Sequence, residues 1–141
     1  KYEYKVPLKI PLNEREVFES VPAYAPQWGM SGYKHAEVDD FLTGGDILTL
    51  DEIEMKMIEV PGHSPGHLMF YIENERKIIG GDVLFRESIG RTDLPGGNHD
   101  DLLRNIKEKV YTLPEDVEVL PGHGPSTTIG YEKQNNPFVK G

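Results

Sequence analysis

Between Asp46 and Gly81 four β-type runs, "DILTL", "EIEMKMIEV", "HLMFYI" and "KIIGG", follow one another with little between them. The turns at Asp51-Glu52 and at Glu73 to Arg76 are short, and "PGHSPGH" joins the second run to the third. Strands linked by so few residues pair antiparallel, because a parallel return needs a long crossover. The middle of the chain is therefore a meander of hairpins. If 53–60 runs toward His63, then 67–72 runs back and 77–81 runs forward again, so His63, His67 and Asp82 leave the sheet at one edge. "VEVLPGHG", residues 117–124, repeats the pattern and delivers His123 into a second Pro-Gly turn. Glycines in these turns let the backbone take the dihedrals that aim an imidazole at a common centre.

The flanking segments read less regularly. "VPLKIPL" (6–12) is a short strand whose prolines mark its ends or a sheet edge. Asn13, with Glu16 three residues on, has the pattern of a helix cap before "EREVFES" (14–20). Residues 21–42 show no clean period and are expected to form a long surface loop carrying Trp28. After the glycine-rich "SIGRTDLPGG", Asn98 caps a helix with Leu102, Leu103, Ile106 and Val110 on the side that packs against the sheet. His99, at its start, is expected to face solvent. Ser126 or Thr127 opens a last polar helix that ends before Pro137.

Composition removes several classes of function. With 24 acidic and 15 basic side chains the formal charge is −9, which repels a phosphate backbone, so no nucleic-acid partner is expected. No apolar run approaches the roughly 18 residues of a membrane span, and the first residues lack the pattern of a signal peptide. The expectation is a soluble, cytoplasmic chain with no membrane contact. The absence of cysteine rules out disulfides, thiolate ligands and a cysteine nucleophile. A chain of 141 residues fits one domain. Its first residue is Lys rather than Met, and the expectation is that its beginning is missing.

What remains is metal chemistry. Imidazole and carboxylate are ligands for zinc, iron or manganese. A carboxylate can also bridge two ions about 3.5 to 4 Å apart, and Asp82 is the natural bridge.

In the order "PGHSPGH", "GGDVLF", "SIGRTDLPGG", "PGHGPSTTIGYEKQNNPF", the chain resembles the later half of a metallo-β-lactamase-fold hydrolase of the short glyoxalase II-like (hydroxyacylglutathione hydrolase-like) branch. The resemblance is close from about Phe41 to Phe138 and loose before that. It implies an α/β fold, an αβ/βα sandwich represented mainly by its second half, with a mostly antiparallel sheet and flanking helices. Residues 1–141 would be a single, incomplete domain missing its N-terminal sheet, with an apolar sheet face left open to association or oligomer formation. The resemblance implies His63 as a ligand of the first metal, Asp82 as the carboxylate bridging both, and His123 as a ligand of the second. The ions implied are two divalent cations, zinc foremost, with iron or manganese also suited. His67 matches a histidine that is not usually a ligand, and is expected to hold the turn or orient a ligand.

The family's H-x-H-x-D-H signature is absent. "HAEVDD" imitates its spacing with His35, Glu37, Asp39 and Asp40 but stands in the wrong part of the chain, so the likeness is read as accidental and His35 as an exposed loop residue. The missing ligands are expected from an N-terminal segment or another chain. The activity implied is hydrolysis of a small-molecule thioester, such as a hydroxyacyl-glutathione, because a thiolate leaves with little acid assistance. Glutathione specificity is open, since larger glyoxalase II enzymes grip it with a helical domain beyond the matching segment; a promiscuous thioesterase is the variant reading. Arg91 either shapes an anionic substrate's pocket or only pairs with Asp93. The rival readings are a mononuclear iron persulfide dioxygenase-like enzyme, which shares a similar "GRTD", and a non-catalytic fragment or subunit. A β-lactamase proper is a weaker rival, because many of its sites place a cysteine where Asp82 stands.

Overall fold

The computed structural model describes residues 1–141. The chain opens with β1 (Lys9–Pro11) and α1 (Arg15–Tyr24), and β2 (Asp40–Leu42) returns to pair with β1 in parallel. The meander follows as β3 (Ile47–Leu50), β4 (Ile53–Glu59), β5 (Leu68–Ile72) and β6 (Lys77–Gly81), all antiparallel neighbours. A small hairpin, β7 (Leu84–Phe85) and β8 (Ser88–Ile89), leads through the glycine-rich loop to α2 (His99–Asn105), which continues as a π-helical segment over Ile106–Val110. The chain closes with β9 (Glu118–Pro121), β10 (Thr127–Thr128) and α3 (Ile129–Asn135). One six-stranded sheet results, in the order β10-β9-β6-β5-β4-β3. Its one parallel contact is between β6 and β9.

Strand alternation gives the sheet one buried face. Tyr71, Ile78 and Val119 share a register row, Met69 lies on the same side, and all are at most 5% exposed. Leu102, Ile106 and Val110 of the α2 segment and Ile129 of α3 complete this core, each fully buried. The helix expected after Asn98 is thus present, and the Asn98 side chain accepts a hydrogen bond from the Asp101 N–H at 3.1 Å. On the other face, the row Met57, Phe70 and Ile79 runs from buried to open: Met57 is 3% exposed and Ile79 43%.

Three local expectations change. Asn13 does not cap α1; its side-chain amide donates to Glu59 Oε1 at 2.6 Å, while Glu14 Oε1 accepts from the Gly66 N–H at 2.6 Å. Both residues are spent on holding the first helix against the β4–β5 turn, which outweighs a cap at a helix end that water can satisfy. Second, residues 21–28 are helical rather than loop, because α1 runs through Pro22 and a 3₁₀ turn covers Ala25–Trp28. Val17, Val21 and Tyr24 have helical spacing that two prolines disguise, and wholly buried Ala25 anchors the turn. Third, the cap of α3 is Thr128, whose hydroxyl accepts from the Tyr131 N–H at 3.2 Å. Thr127 is occupied as a β10 residue paired with Val119.

Inside α3 lies a wholly buried carboxylate, Glu132. It accepts hydrogen bonds from the Thr127 hydroxyl, the Glu87 N–H (3.0 Å) and the Asn136 amide (2.8 Å). The Asn136 amide also donates to Ser88 O at 3.0 Å. Glu132 and Asn136 therefore fasten the last helix to the turn of the β7–β8 hairpin. Glu132→Ala removes the acceptor of three donors, two of them buried, and should lower the unfolding free energy by about 3 kcal/mol in denaturant titration. Exposed Gln134→Ala should stay within about 0.5 kcal/mol, and equal effects would show that the clamp carries no stability.

Candidate metal centre

The sheet topology gathers three turns. His63 follows β4, Asp82 follows β6 and His123 follows β9, and parallel pairing of β6 with β9 puts the last two turns side by side at one edge. The Gly122 N–H donates to Gly81 O at 2.8 Å, which carries the ladder past the strand ends. Gly122 cannot be replaced there without movement, since a Cβ would stand 2.4 Å from Asp82 Oδ1.

The Asp82 carboxylate is divided between the two histidines. Its Oδ2 lies 3.8 Å from His63 Nε2 and its Oδ1 lies 3.5 Å from His123 Nε2. Neither separation is a hydrogen bond. Two ligands each bonded to a tetrahedral ion at about 2.05 Å stand roughly 3.3 Å apart, so both gaps are close to the span of a shared ion. The backbone fixes the tautomer of one imidazole: His63 Nδ1 lies 2.8 Å from Arg91 O, and a carbonyl only accepts. Nδ1 therefore carries the proton and Nε2 turns its lone pair toward Asp82. His123 is held differently, stacked on Phe85 with ring centroids 4.6 Å apart and planes inclined by 14°. The donor set thus fits divalent ions in chemistry and spacing, yet no three His, Asp or Glu side chains close on a single point. Each oxygen of Asp82 faces one imidazole.

The other residues singled out in the sequence fall into distinct places. His67 donates from Nε2 to Gly80 O at 3.1 Å, and burial pushes its imidazole below the usual pKa range, which keeps it neutral. Its ring fills the space above Gly81, where φ is +52° and a Cβ would come within 2.6 Å of the imidazole. His67 therefore braces the backbone that presents Asp82. Arg91 borders the cleft, but its guanidinium is engaged by both oxygens of Asp93, at 2.7 and 2.8 Å, and holds that carboxyl down to about 2. His99 is exposed. His35 is exposed too, bonded at Nδ1 to the Tyr33 hydroxyl at 2.9 Å. Asp39 accepts from Lys1 and from the Leu8 N–H, and Asp40 from Lys9, so the acids of "HAEVDD" tie β2 to the start of the chain.

The Arg91 carbonyl, Phe85 and the Glu132–Asn136 clamp went unmarked in the sequence. A carbonyl has no sequence signal, but Phe85 stands three residues after Asp82 in "GGDVLF", where a short hairpin could have been suspected. His63, Asp82 and His123, with Phe85, Arg86 and Ser88, border a cleft of about 370 Å³.

Comparison with known proteins gives this geometry a family. The Metallo-beta-lactamase superfamily profile matches residues 2–123. Hydroxyacylglutathione hydrolase GloC of Haemophilus influenzae is 41% identical over 136 residues, which cover 90% of this chain and 61% of that protein. The probable metallo-hydrolase YqgX of Bacillus subtilis is 45% identical over 103 residues, covering 73% of this chain and 49% of that protein. The chain thus spans less than two thirds of the length of either relative. Among solved structures, the BLEG-1 B3 metallo-β-lactamase aligns with a TM-score of 0.86 at 40% identity, over 99% of this chain and 68% of that one. TTHA1623 in a di-iron-bound form aligns with a TM-score of 0.83 at 34% identity, over 98% and 67%. The α/β architecture, a mixed sheet with flanking helices, is the one these structures share. The chain belongs to the metallo-β-lactamase superfamily.

Proposed function

We propose that the complete protein is a metal-dependent thioesterase of the glyoxalase II-like type. In this reading His63, Asp82 and His123 would hold two divalent ions, with Asp82 between the two imidazoles. The division of the Asp82 carboxylate between two imidazoles carries the proposal, and the likeness to GloC supports its chemistry. Zinc is the ion we assign; the same donors suit iron and manganese. When bound, such ions supply Lewis acidity and a nucleophilic water at neutral pH.

The remaining steps belong to the chain. His63, locked by the Arg91 carbonyl, offers Nε2 without reorganisation, and His67 keeps the Gly80-Gly81 backbone where Asp82 needs it. Hydrolysis adds water across the C–S bond, giving a carboxylic acid and a thiol. A thiolate leaves without general-acid help, whereas an amine or alkoxide needs it, and the likeness to hydroxyacylglutathione hydrolase GloC supports a thioester.

We place the remaining metal ligands outside residues 1–141, in a segment the longer relatives possess or in a second chain. Residues 1–141 then form the larger part of one sandwich domain, whose other sheet covers the face that exposes Ile79. No helix is long and apolar enough to cross a membrane, and we assign the protein to the cytoplasm with a small-molecule substrate.

In the complete protein, His63→Ala, Asp82→Ala and His123→Ala should each lower bound metal in elemental mass spectrometry. Each should also cut kcat/KM for S-lactoylglutathione by about 100-fold or more, while His35→Ala changes neither by more than about twofold. Loss of metal in His35→Ala with retention in His63→Ala would sink the assignment. Because one structural relative is named a β-lactamase, nitrocefin is the informative competitor: thioester hydrolysis should exceed nitrocefin hydrolysis by about 100-fold in kcat/KM. The reverse order would make the protein a β-lactamase. Oxygen uptake with glutathione persulfide should stay at background; uptake at the thioester rate would favour the dioxygenase reading.

A further inference from the structure

A second and larger cavity, of about 560 Å³, lies beside the metal cleft and shares His63 with it. Val17 and Tyr24 of α1 form one wall and Trp28 of the following 3₁₀ turn another, with Leu94 and Pro95 of the glycine-rich loop opposite. The continuation of α1 through Pro22 is what brings Tyr24 and Trp28 to this place. Leu94 is 42% exposed and Trp28 76% exposed, and the Trp28 indole makes no hydrogen bond. None of the eight lining residues is Lys, Arg, Asp or Glu. The smaller cleft differs: Arg86 and Arg91 line it, and while Arg91 is paired with Asp93, Arg86 lies over the Tyr131 ring with no carboxylate partner. The charged side chains therefore lie on one side of His63: Asp82, Arg86 and Arg91 border the smaller cleft, and no charged side chain borders the larger cavity.

We propose that this uncharged cavity receives the acyl group of the substrate and that the substrate class is thioesters of aromatic or bulky apolar acids, with an anionic thiol carrier lying toward Arg86. The inference rests on the thioesterase reading for the identity of the substrate, though not for the existence of the site. A volume of this size holds a small ligand, and exposed apolar side chains around a concavity mark a surface completed by an apolar partner. The walls offer no cation for the two carboxylates of a glutathione moiety, which fixes the orientation: acyl group inward, carrier outward.

Trp28 is the chain's single tryptophan, so its emission reports this cavity alone. Titration of the 141-residue chain with the neutral thioether benzyl methyl sulfide should shift that emission saturably. S-methylglutathione at the same concentrations should not, and Leu94→Asp, a change at an exposed position, should abolish the benzyl response. No saturable shift, or an equal one from S-methylglutathione, would overturn the site. In the complete, metal-loaded protein, kcat/KM for S-phenylacetylglutathione should exceed that for S-lactoylglutathione by about tenfold, and Leu94→Asp should erase most of this ratio. A ratio near one in the parent protein, or one unchanged by Leu94→Asp, would overturn the acyl assignment. If neither thioester were hydrolysed, the thioesterase reading would fall while the emission titration still decided whether the cavity binds apolar ligands.

Discussion

The parallel pairing of β6 with β9 is the contact on which the rest of the molecule depends. It is the sheet's one non-local register, closed after a crossover that carries the β7–β8 hairpin, the glycine-rich loop and α2. It seats Val119 against Ile78 in the core, and three residues further on it sets Gly122 against Gly81. The same ladder that completes the core therefore brings His123 to Asp82. Neither function is separable from the other: a register slip of one residue would turn Val119 out of the core and carry His123 away from the carboxylate.

Around this contact the chain uses its backbone more than its side chains to arrange the site. A carbonyl sets the His63 tautomer, a second carbonyl anchors His67, and close approaches at Gly81 and Gly122 leave room only for hydrogen. Side-chain support comes from farther off, through Glu132 and Asn136, which hold the hairpin bearing Phe85, the ring on which His123 lies. Such preorganisation matters most where ligands must be placed before the ion arrives.

Much of this was legible in the sequence because it is local. The meander follows from strand period and turn length, and the convergence of His63, His67 and Asp82 at one edge follows from the meander. What was not legible depends on partners distant in the chain. Asn13 has the composition of a cap but is drawn to Glu59, and α1 passes through Pro22 because packing around Ala25 outweighs one lost hydrogen bond. The buried position of Glu132 had no signature at all, since an acidic residue in a polar helix reads as solvent-facing. The apolar cavity was hidden for the same reason as the end of α1: its walls come from a segment whose helical spacing two prolines concealed.

The central claim is that one carboxylate, that of Asp82, is shared by two ions. Electron paramagnetic resonance of the complete protein loaded with manganese(II) tests it directly, because ions bridged by one carboxylate at about 3.5 to 4 Å are magnetically coupled. The account predicts the signal of an exchange-coupled pair, replaced in Asp82→Ala by that of isolated ions or by none. An isolated six-line manganese signal in the parent protein, at full loading, would show that the two imidazoles do not serve a shared site.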